Sequence, residues 1–582
     1  MLGANRTGRR GDHEPALITK QTHLIAPGLL RILWAASTVA GAACDKNNDI
    51  AAVTYTCGTS GVASDPTLIG AGVMADCGDV DMQLPPEPML PATPTDPACI
   101  IKANQVTDET SWIPDETNVI ADTTRLNTAL AACPVVKVQA DGTNNSLVVA
   151  HVILTSATLW IDGGVTLYAS RDPSLYQSTG NCGVLGVNDS AACNDFITVN
   201  GASPAIVGDG IIDGQGGEPL VGHDYSWWQM SDALQNIDGS IGNPTLINLK
   251  TGVTGFLLYK ITLHNSPKFH VKITSTPAGG AFAADGTDNC TAAGVGFTVW
   301  GITILTPSRW LNSQGLLMSP HFSRNTDGVD PGETSVATCG VIAHNTISTG
   351  DDHIALKGGH WVSGVLIAHN HFGTGHGMSI GSETYGAFTT LDGKVHYGVE
   401  NVTVCDLTID ADSRPVGQGA SSGDFNGIRV KSDSSRGGMV NNINFRNICM
   451  RDVNNAILMS TAYNPLFAGT SYPMFKTMLF QNIHDVTCMN VVAPVVTLNG
   501  FSRALPAGPI TLDNVVVDNI GPAAVESAFA NLVLGPGNVN FAGFIPTAND
   551  ATVSNKIIDD TSPTGCDFPA LPAPQPPPGW LR

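Results

Sequence analysis

Short runs of alternating apolar and polar residues, each closing at or beside an asparagine, recur along the middle and C-terminal half of this chain. Tyr259-Lys260-Ile261-Thr262-Leu263-His264-Asn265, Gly340-Val341-Ile342-Ala343-His344-Asn345 and Gly364-Val365-Leu366-Ile367-Ala368-His369-Asn370 set the pattern. The runs from Asn401 to Asp406, Asn442 to Asn447, Met478 to Asn482 and Ile510 to Asn514 repeat it. No amphipathic helical pattern separates one run from the next. The step from Asn345 to Asn370 is coil-sized, and later intervals lengthen where Gly- and Ser-rich loops intrude. Irregular repetition of strand and turn at this period predicts an all-β parallel β-helix, with a β-sandwich or a propeller as the alternative. Strands stacked about 4.8 Å apart would make neighbours of residues one coil apart.

The pattern also divides the chain. Arg6, Arg9 and Arg10 precede an apolar stretch from Leu24 to Ala43 that ends in small residues, so 1–43 reads as an export segment interrupted by Arg31. Cys44 follows it as a candidate for lipid modification, disfavoured by Gly41. Residues 44–97 form a polar extension ending in a Pro-rich linker, Leu84 to Pro97, expected to be extended. The β-helix is expected over 98–560, followed by a Pro-rich tail over 561–582. Asp122 to Leu130 resembles a short capped helix that would close the N-terminal end of the solenoid.

Charged residues are only 13% of the chain, while glycine numbers 63, as many tight turns require. The net charge of −22 argues against nucleic acid as a partner. It also means that an anionic polymer would have to be held by local cations. Beyond the N-terminal stretch, no apolar run is long enough to span a membrane. Thirteen cysteines without metal-ligand spacing point to disulfides and an oxidising, extracellular location. Cys182 with Cys193 is the first expected pair and Cys57 with Cys77 the second, and the odd count leaves at least one thiol over.

Four polar motifs carry the candidate chemistry: Asn325-Thr326-Asp327-Gly328-Val329-Asp330, Gly350-Asp351-Asp352-His353, Gly375-His376-Gly377 and Arg429-Val430-Lys431. Asp327, Asp351 and His376 follow one another at nearly equal, coil-sized intervals, so successive coils would bring them together. Adjacent aspartates point to opposite faces of a regular strand, so Asp351 and Asp352 need a bend, which Gly350 makes cheap. Three crowded carboxylates should raise the pKa of at least one, which suits a general acid beside ionised groups that activate water. Asp327, Asp330, Asp351 and Asp352 could instead ligate calcium. Arg429 and Lys431 would share one face of a strand, with Ile428 and Val430 on the core face. Such paired cations suit a repeated carboxylate.

These motifs, written NTDGVD, GDDHIALKGG, GTGHGMSIGSE and GIRVKS, resemble those of the polygalacturonases, the pectin hydrolases of glycoside hydrolase family 28. GDGIIDGQG at Gly208 to Gly216, Trp227-Trp228 and ITLHNSPKFHV at Ile261 to Val271 are similar to further family elements, so the resemblance covers about residues 100 to 540. It implies a single-stranded right-handed parallel β-helix that hydrolyses α-1,4-galacturonosyl bonds with inversion and without a cofactor or metal. It makes Asp351 the general acid, Asp327 and Asp352 the residues that activate water, and His376 the support of the acid. Arg429 and Lys431 would bind the galacturonate carboxylate, with Tyr463 and Asn325 as further substrate contacts. His353 stands where Cys or Asn is common in the family, and Gly358-Gly359 where Ser-Gly is frequent. GHGMSIGSE is similar to bacterial endo-acting members, which points to an endo enzyme. An exo-acting enzyme, a calcium-dependent pectate lyase and a non-catalytic pectin-binding β-helix are the alternatives. The expected setting is a secreted monomer acting on pectin or polygalacturonate of the plant cell wall.

Overall fold

The computed structural model describes residues 83–575, apart from 108–112, 235–241, 277–289, 291–293, 334, 386, 390–394, 412–424, 452, 464–468, 487–494, 547–550, 555–565, 567 and 573. The expected export segment, Cys44 and the Cys57/Cys77 pair lie outside the described residues. The chain winds as a right-handed parallel β-helix. Among the described residues it carries an 11-stranded sheet, a larger sheet of 22 strands, and two α-helices, Val119–Ala132 and Trp227–Leu234.

Asn447, Asn482 and Asn514 of the sequence pattern stand at a corner of the coil. Ala343, Ala368, Cys405, Arg446, Gln481 and Asp513 pair in register on successive coils. The residue after each, His344, His369, Asp406, Asn447, Asn482 or Asn514, has φ between 53° and 59°. Asparagine tolerates this left-handed conformation better than most residues, so the corner selects for it. Its amide then ties the coils together, since Asn514 Nδ2 donates to Asn482 Oδ1 at 3.0 Å and Asn482 Nδ2 to Asn447 Oδ1 at 3.0 Å.

The 11-stranded sheet positions the site. Val329, Ile354, Met378, Ile428, Ile457, Val496 and Val525 pair in that order, and all are buried in the apolar interior. The register steps from Val329 to Ile354 and from Ile354 to Met378 each span one coil. Asp327, Asp352 and His376 are therefore equivalent positions, each standing just before a paired core residue on the same side of it. Asp351 stands one place earlier.

The helix Val119–Ala132 lies over the N-terminal end of the solenoid, as expected. It begins ahead of Asp122, which is therefore no N-cap but a buried first-turn residue, accepting from Asn104 Nδ2 and paired with Arg125 at 2.9 Å. Its Asn127 Oδ1 accepts from the Ile153 N–H and its Thr123 Oγ1 from the Ala150 N–H, so helix side chains satisfy the first sheet edge. Cys99–Cys133 pins this helix and Cys182–Cys193 forms as expected, together with Cys290–Cys339 and Cys449–Cys566.

The Pro-rich linker is extended, yet it is bound rather than free. Leu84 and Leu90 pack on an outward row of Trp160, Val207, Tyr259, Trp300 and Ala343, and Leu84 continues onto Ala368 and Cys405. Glu87 Oε1 accepts from Tyr259 Oη at 2.7 Å. The tail is likewise held where it is described, with Gln575 N donating to Ser308 O.

Candidate active site

The expected residues converge at the sheet formed by the strands Val329–Pro331, Ile354–Leu356, Met378–Ile380, Asn426–Lys431 and Asn455–Ser460. Gly350 is required by close approach, since a Cβ there would collide with Ser323 Oγ and Ser323 O. The chain bends at Gly350 and Asp351, and Asp352 N donates back to Asp351 Oδ1 at 3.0 Å. Asp351 and Asp352 therefore both belong to the site.

The three carboxylates have different partners. Asp351 Oδ1 lies 2.8 Å from His376 Nδ1, and its Oδ2 accepts from the Asn325 N–H at 3.0 Å. Asn325 reaches the site through its backbone, at φ 56°. Asp352 is buried and accepts from Ser379 Oγ at 2.7 Å, Lys431 Nζ at 2.7 Å and an Arg429 terminal nitrogen at 3.2 Å. Asp327 is buried against Lys357, whose Nζ lies 3.3 Å from Oδ2, while Oδ1 bonds no protein donor. Ile428 and Val430 face the core as expected. Arg429 and Lys431 are not solvated, being 6% and 4% exposed. The Tyr463 ring covers both, 5.1 Å from Lys431 Nζ and 5.7 Å from Arg429 Cζ.

These partners divide the charge. Burial and the neighbouring Asp351 carboxylate push Asp327 up to about 7. Burial also acts to raise Asp351, but His376, Lys431 and the Asn325 N–H outweigh it and hold Asp351 well below the ordinary carboxylate range. Asp352 is lowered to about 2, because Lys431 and Arg429 outweigh its burial. One of these three carboxyls is raised, as crowding requires, but it is Asp327 rather than Asp351. The physical reason is the His376 ring, which spacing places in the site without revealing which aspartate it touches.

Asp351, Asp352 and His376 offer ligand atoms within 4.8 Å of one another. Two cationic side chains already neutralise Asp352, and His376 Nδ1 is turned onto Asp351 rather than into a shared cavity. That donor set fits proton transfer better than a calcium ion, which needs six or more oxygen ligands.

The roles of several supporting residues escaped the sequence reading. His353 stacks on Phe372 at 4.5 Å, its Nε2 donates to Gly373 O at 3.1 Å and its Nδ1 accepts from the Gly377 N–H at 3.0 Å. Burial lowers it to about 4, so this neutral ring anchors the loop that presents His376. His270, also lowered by burial to about 4, donates its backbone N–H to Asp327 O and sets Nδ1 against Thr326 O. Ser379, Lys357 and Glu383 stand within the quoted motifs, and that membership was the only available signal for them.

The chain is similar to known proteins over much of its length. The model of the glycosyl hydrolases family 28 matches residues 185–532. A polygalacturonase of Ralstonia nicotianae is 34% identical over 83% of this chain and 90% of its own length. An endo-polygalacturonase of Pectobacterium carotovorum subsp. carotovorum is 34% identical over 62% of this chain and 74% of its own. The solved polygalacturonase from Erwinia carotovora ssp. carotovora is similar with a TM-score of 0.55 at 28% identity, over 77% of this chain and 98% of that one. A β-helix with three carboxylates on adjacent coils, backed by these matches, belongs to the glycosyl hydrolases family 28 and is a glycoside hydrolase.

Proposed function

We propose that the chain is a polygalacturonase that cleaves α-1,4-galacturonosyl bonds within polygalacturonate, with inversion and outside the cell. The observation that carries this reading is the pairing of a three-carboxylate cluster with Arg429 and Lys431 under the Tyr463 ring. A galacturonate carboxylate entering beside these cations shares them with Asp352, and the sugar packs on Tyr463. This explains how a chain of net charge −22 holds a polyanion.

In this reading Asp351 protonates the glycosidic oxygen as the bond to C1 breaks. Asp351 takes up that proton from solvent water, and His376, whose Nδ1 lies 2.8 Å from Asp351 Oδ1, supports and orients the acid. Bound substrate draws Arg429 and Lys431 toward its own carboxylate and excludes water, which lifts Asp351 out of its ionised resting state. Asp327 and Asp352 polarise the water that attacks C1 from the opposite face, and Asp327 takes its proton on the unpaired Oδ1. Inversion requires the acid and base carboxyls to stand about 6.5 to 9.5 Å apart, leaving room for that water.

The raised carboxyl of the resting site favours a second assignment, with Asp327 as acid and Asp351 or Asp352 as base. The two are separated by leaving-group dependence. An Asp351→Asn enzyme that keeps its rate on an aryl galacturonide with a good leaving group identifies Asp351 as the acid. The same behaviour in Asp327→Asn identifies Asp327. Action on the polymer interior is supported by the Pectobacterium relative named an endo-polygalacturonase. Viscosity of polygalacturonate should fall well before reducing ends accumulate, whereas early release of monomer or dimer would mean exo action. The described disulfides fit an oxidising, extracellular setting, and secretion is the reading they support. One chain supplies the whole site, so a monomer is the proposed working unit.

A further inference from the structure

The reaction as described leaves Lys357 unused. It follows the strand Ile354–Leu356, is nine-tenths buried, and sets its Nζ 3.3 Å from Asp327 Oδ2 and 3.7 Å from Glu383 Oε2. Arg429 and Lys431 are engaged with Asp352. Among the described residues, Lys357 is the one cation within ion-pair distance of Asp327.

The groups facing Asp327 oppose its ionisation. Asp351 and Asp352 stand on the next coil, and Asp330 lies on the same coil with both carboxyl oxygens buried and unbonded. Lys431 and Lys268 act on Asp327 from farther away. Lys357 is itself shared. Glu383 takes part of its charge, and Glu383 is in turn drawn toward Arg436 Nε at 3.3 Å, while Arg436 pairs with Asp433 at 2.8 Å. Alternating charges therefore run from Asp327 through Lys357, Glu383 and Arg436 to Asp433, with Asp327 and Lys357 buried and Glu383 and Arg436 partly exposed. Burial pulls the Lys357 ammonium down, but Asp327, Asp330 and Glu383 push it well above its ordinary value, so it stays charged.

We propose that Lys357 is a positioning residue for the hydrolysis: its ammonium favours the ionised form of Asp327 through Oδ2 against the carboxylates around it, leaving Oδ1 to accept the proton of the attacking water, and Glu383 tunes that hold. The inference rests on Asp327 acting as the base. A carboxylate that loses an opposite charge at this range rises by about one pK unit or more.

The test is the pH profile of kcat on polygalacturonate for the wild type, Lys357→Gln, Lys357→Arg and Glu383→Gln. The acidic limb should move upward by about one pH unit or more in Lys357→Gln, return toward wild type in Lys357→Arg, and move downward in Glu383→Gln. A uniform loss of kcat with both limbs unmoved would make Lys357 merely structural and overturn the inference. Movement of the alkaline limb instead would also overturn it, by making Asp327 the acid. Rescue of Asp327→Asn by azide, which replaces water as nucleophile, reports on the base assignment separately. If Lys357→Gln does not fold, Glu383→Gln alone decides, and an unmoved acidic limb in that variant overturns the inference.

Discussion

Two outward-facing rows of the same solenoid have opposite fates. Trp160, Val207, Tyr259, Trp300, Ala343, Ala368 and Cys405 stack in register on one face and are covered by Leu84 and Leu90. On the 11-stranded sheet the outward positions include Ser379, Arg429 and Lys431, with Asp352 just ahead of the strand Ile354–Leu356, equally buried but among charges. Core packing is alike beneath both rows, since each alternates with interior residues such as Leu159 and Ile161 or Ile428 and Val430. The difference is in how each row meets the loss of water. Apolar side chains require only a lid, whereas charged ones require partners at hydrogen-bond distance. The first row is therefore a structural seam, and the second is a store of electrostatic tension available to chemistry.

The sharpest separation of the two rows comes from the cleft. Asp351→Asn should lower kcat on polygalacturonate by about 10² to 10⁴, the range for a general acid, while the protein still folds. Near-wild-type turnover would remove Asp351 from the mechanism. Next in size is Arg429→Ala. A hydrogen bond to a charged group contributes about 1.5 to 3 kcal/mol, so kcat/KM for polygalacturonate should fall by about 10- to 100-fold. A fully methyl-esterified pectin lacks the carboxylate and should show a smaller fall; equal losses on both substrates would argue against carboxylate recognition.

A smaller effect concerns stability and pH. Asp327 is raised to about 7, against about 4 in an unfolded chain. The folded protein keeps this proton where the unfolded chain has lost it, so the associated stability is present below about pH 4 and is lost as pH rises toward 7. Asparagine mimics the protonated form at every pH. Asp327→Asn should therefore melt higher than wild type at pH values near and above 7, with the gap closing by about pH 4. A gap independent of pH would show that Asp327 is not the strained carboxyl.

Much of this fold was legible because its signals are local. A left-handed corner selects its own residue type, so Asn447, Asn482 and Asn514 report the coil directly. The cleft was legible because the register steps from Val329 to Ile354 and on to Met378 nearly match the motif spacing. Lys357, Ser379 and His270 were not, because each acts across coils and nothing in its own neighbourhood announces the partner. The position of the raised carboxyl was illegible for the same reason, since it depends on which oxygen His376 reaches. The Pro-rich segment showed its extension but not its docking, because its contacts are spread from Trp160 to Cys405 and an extended chain has no periodicity to match them.

That segment supplies the smallest effect and the cleanest control. Leu84 and Leu90 are half-buried on the apolar row, so truncating both to alanine removes part of two leucine contacts, about 1 to 2 kcal/mol in all. The thermal midpoint should fall by a few degrees or less, given the size of the domain. Turnover should be unchanged at any temperature where the protein is folded, because no residue of this row touches the carboxylates or their cations. Proteolysis between 83 and 97 should become faster in the same variant, as the released segment presents extended backbone to a protease. A fall in kcat without a fall in midpoint would mean that the seam communicates with the cleft, and the two outward rows could no longer be treated as independent.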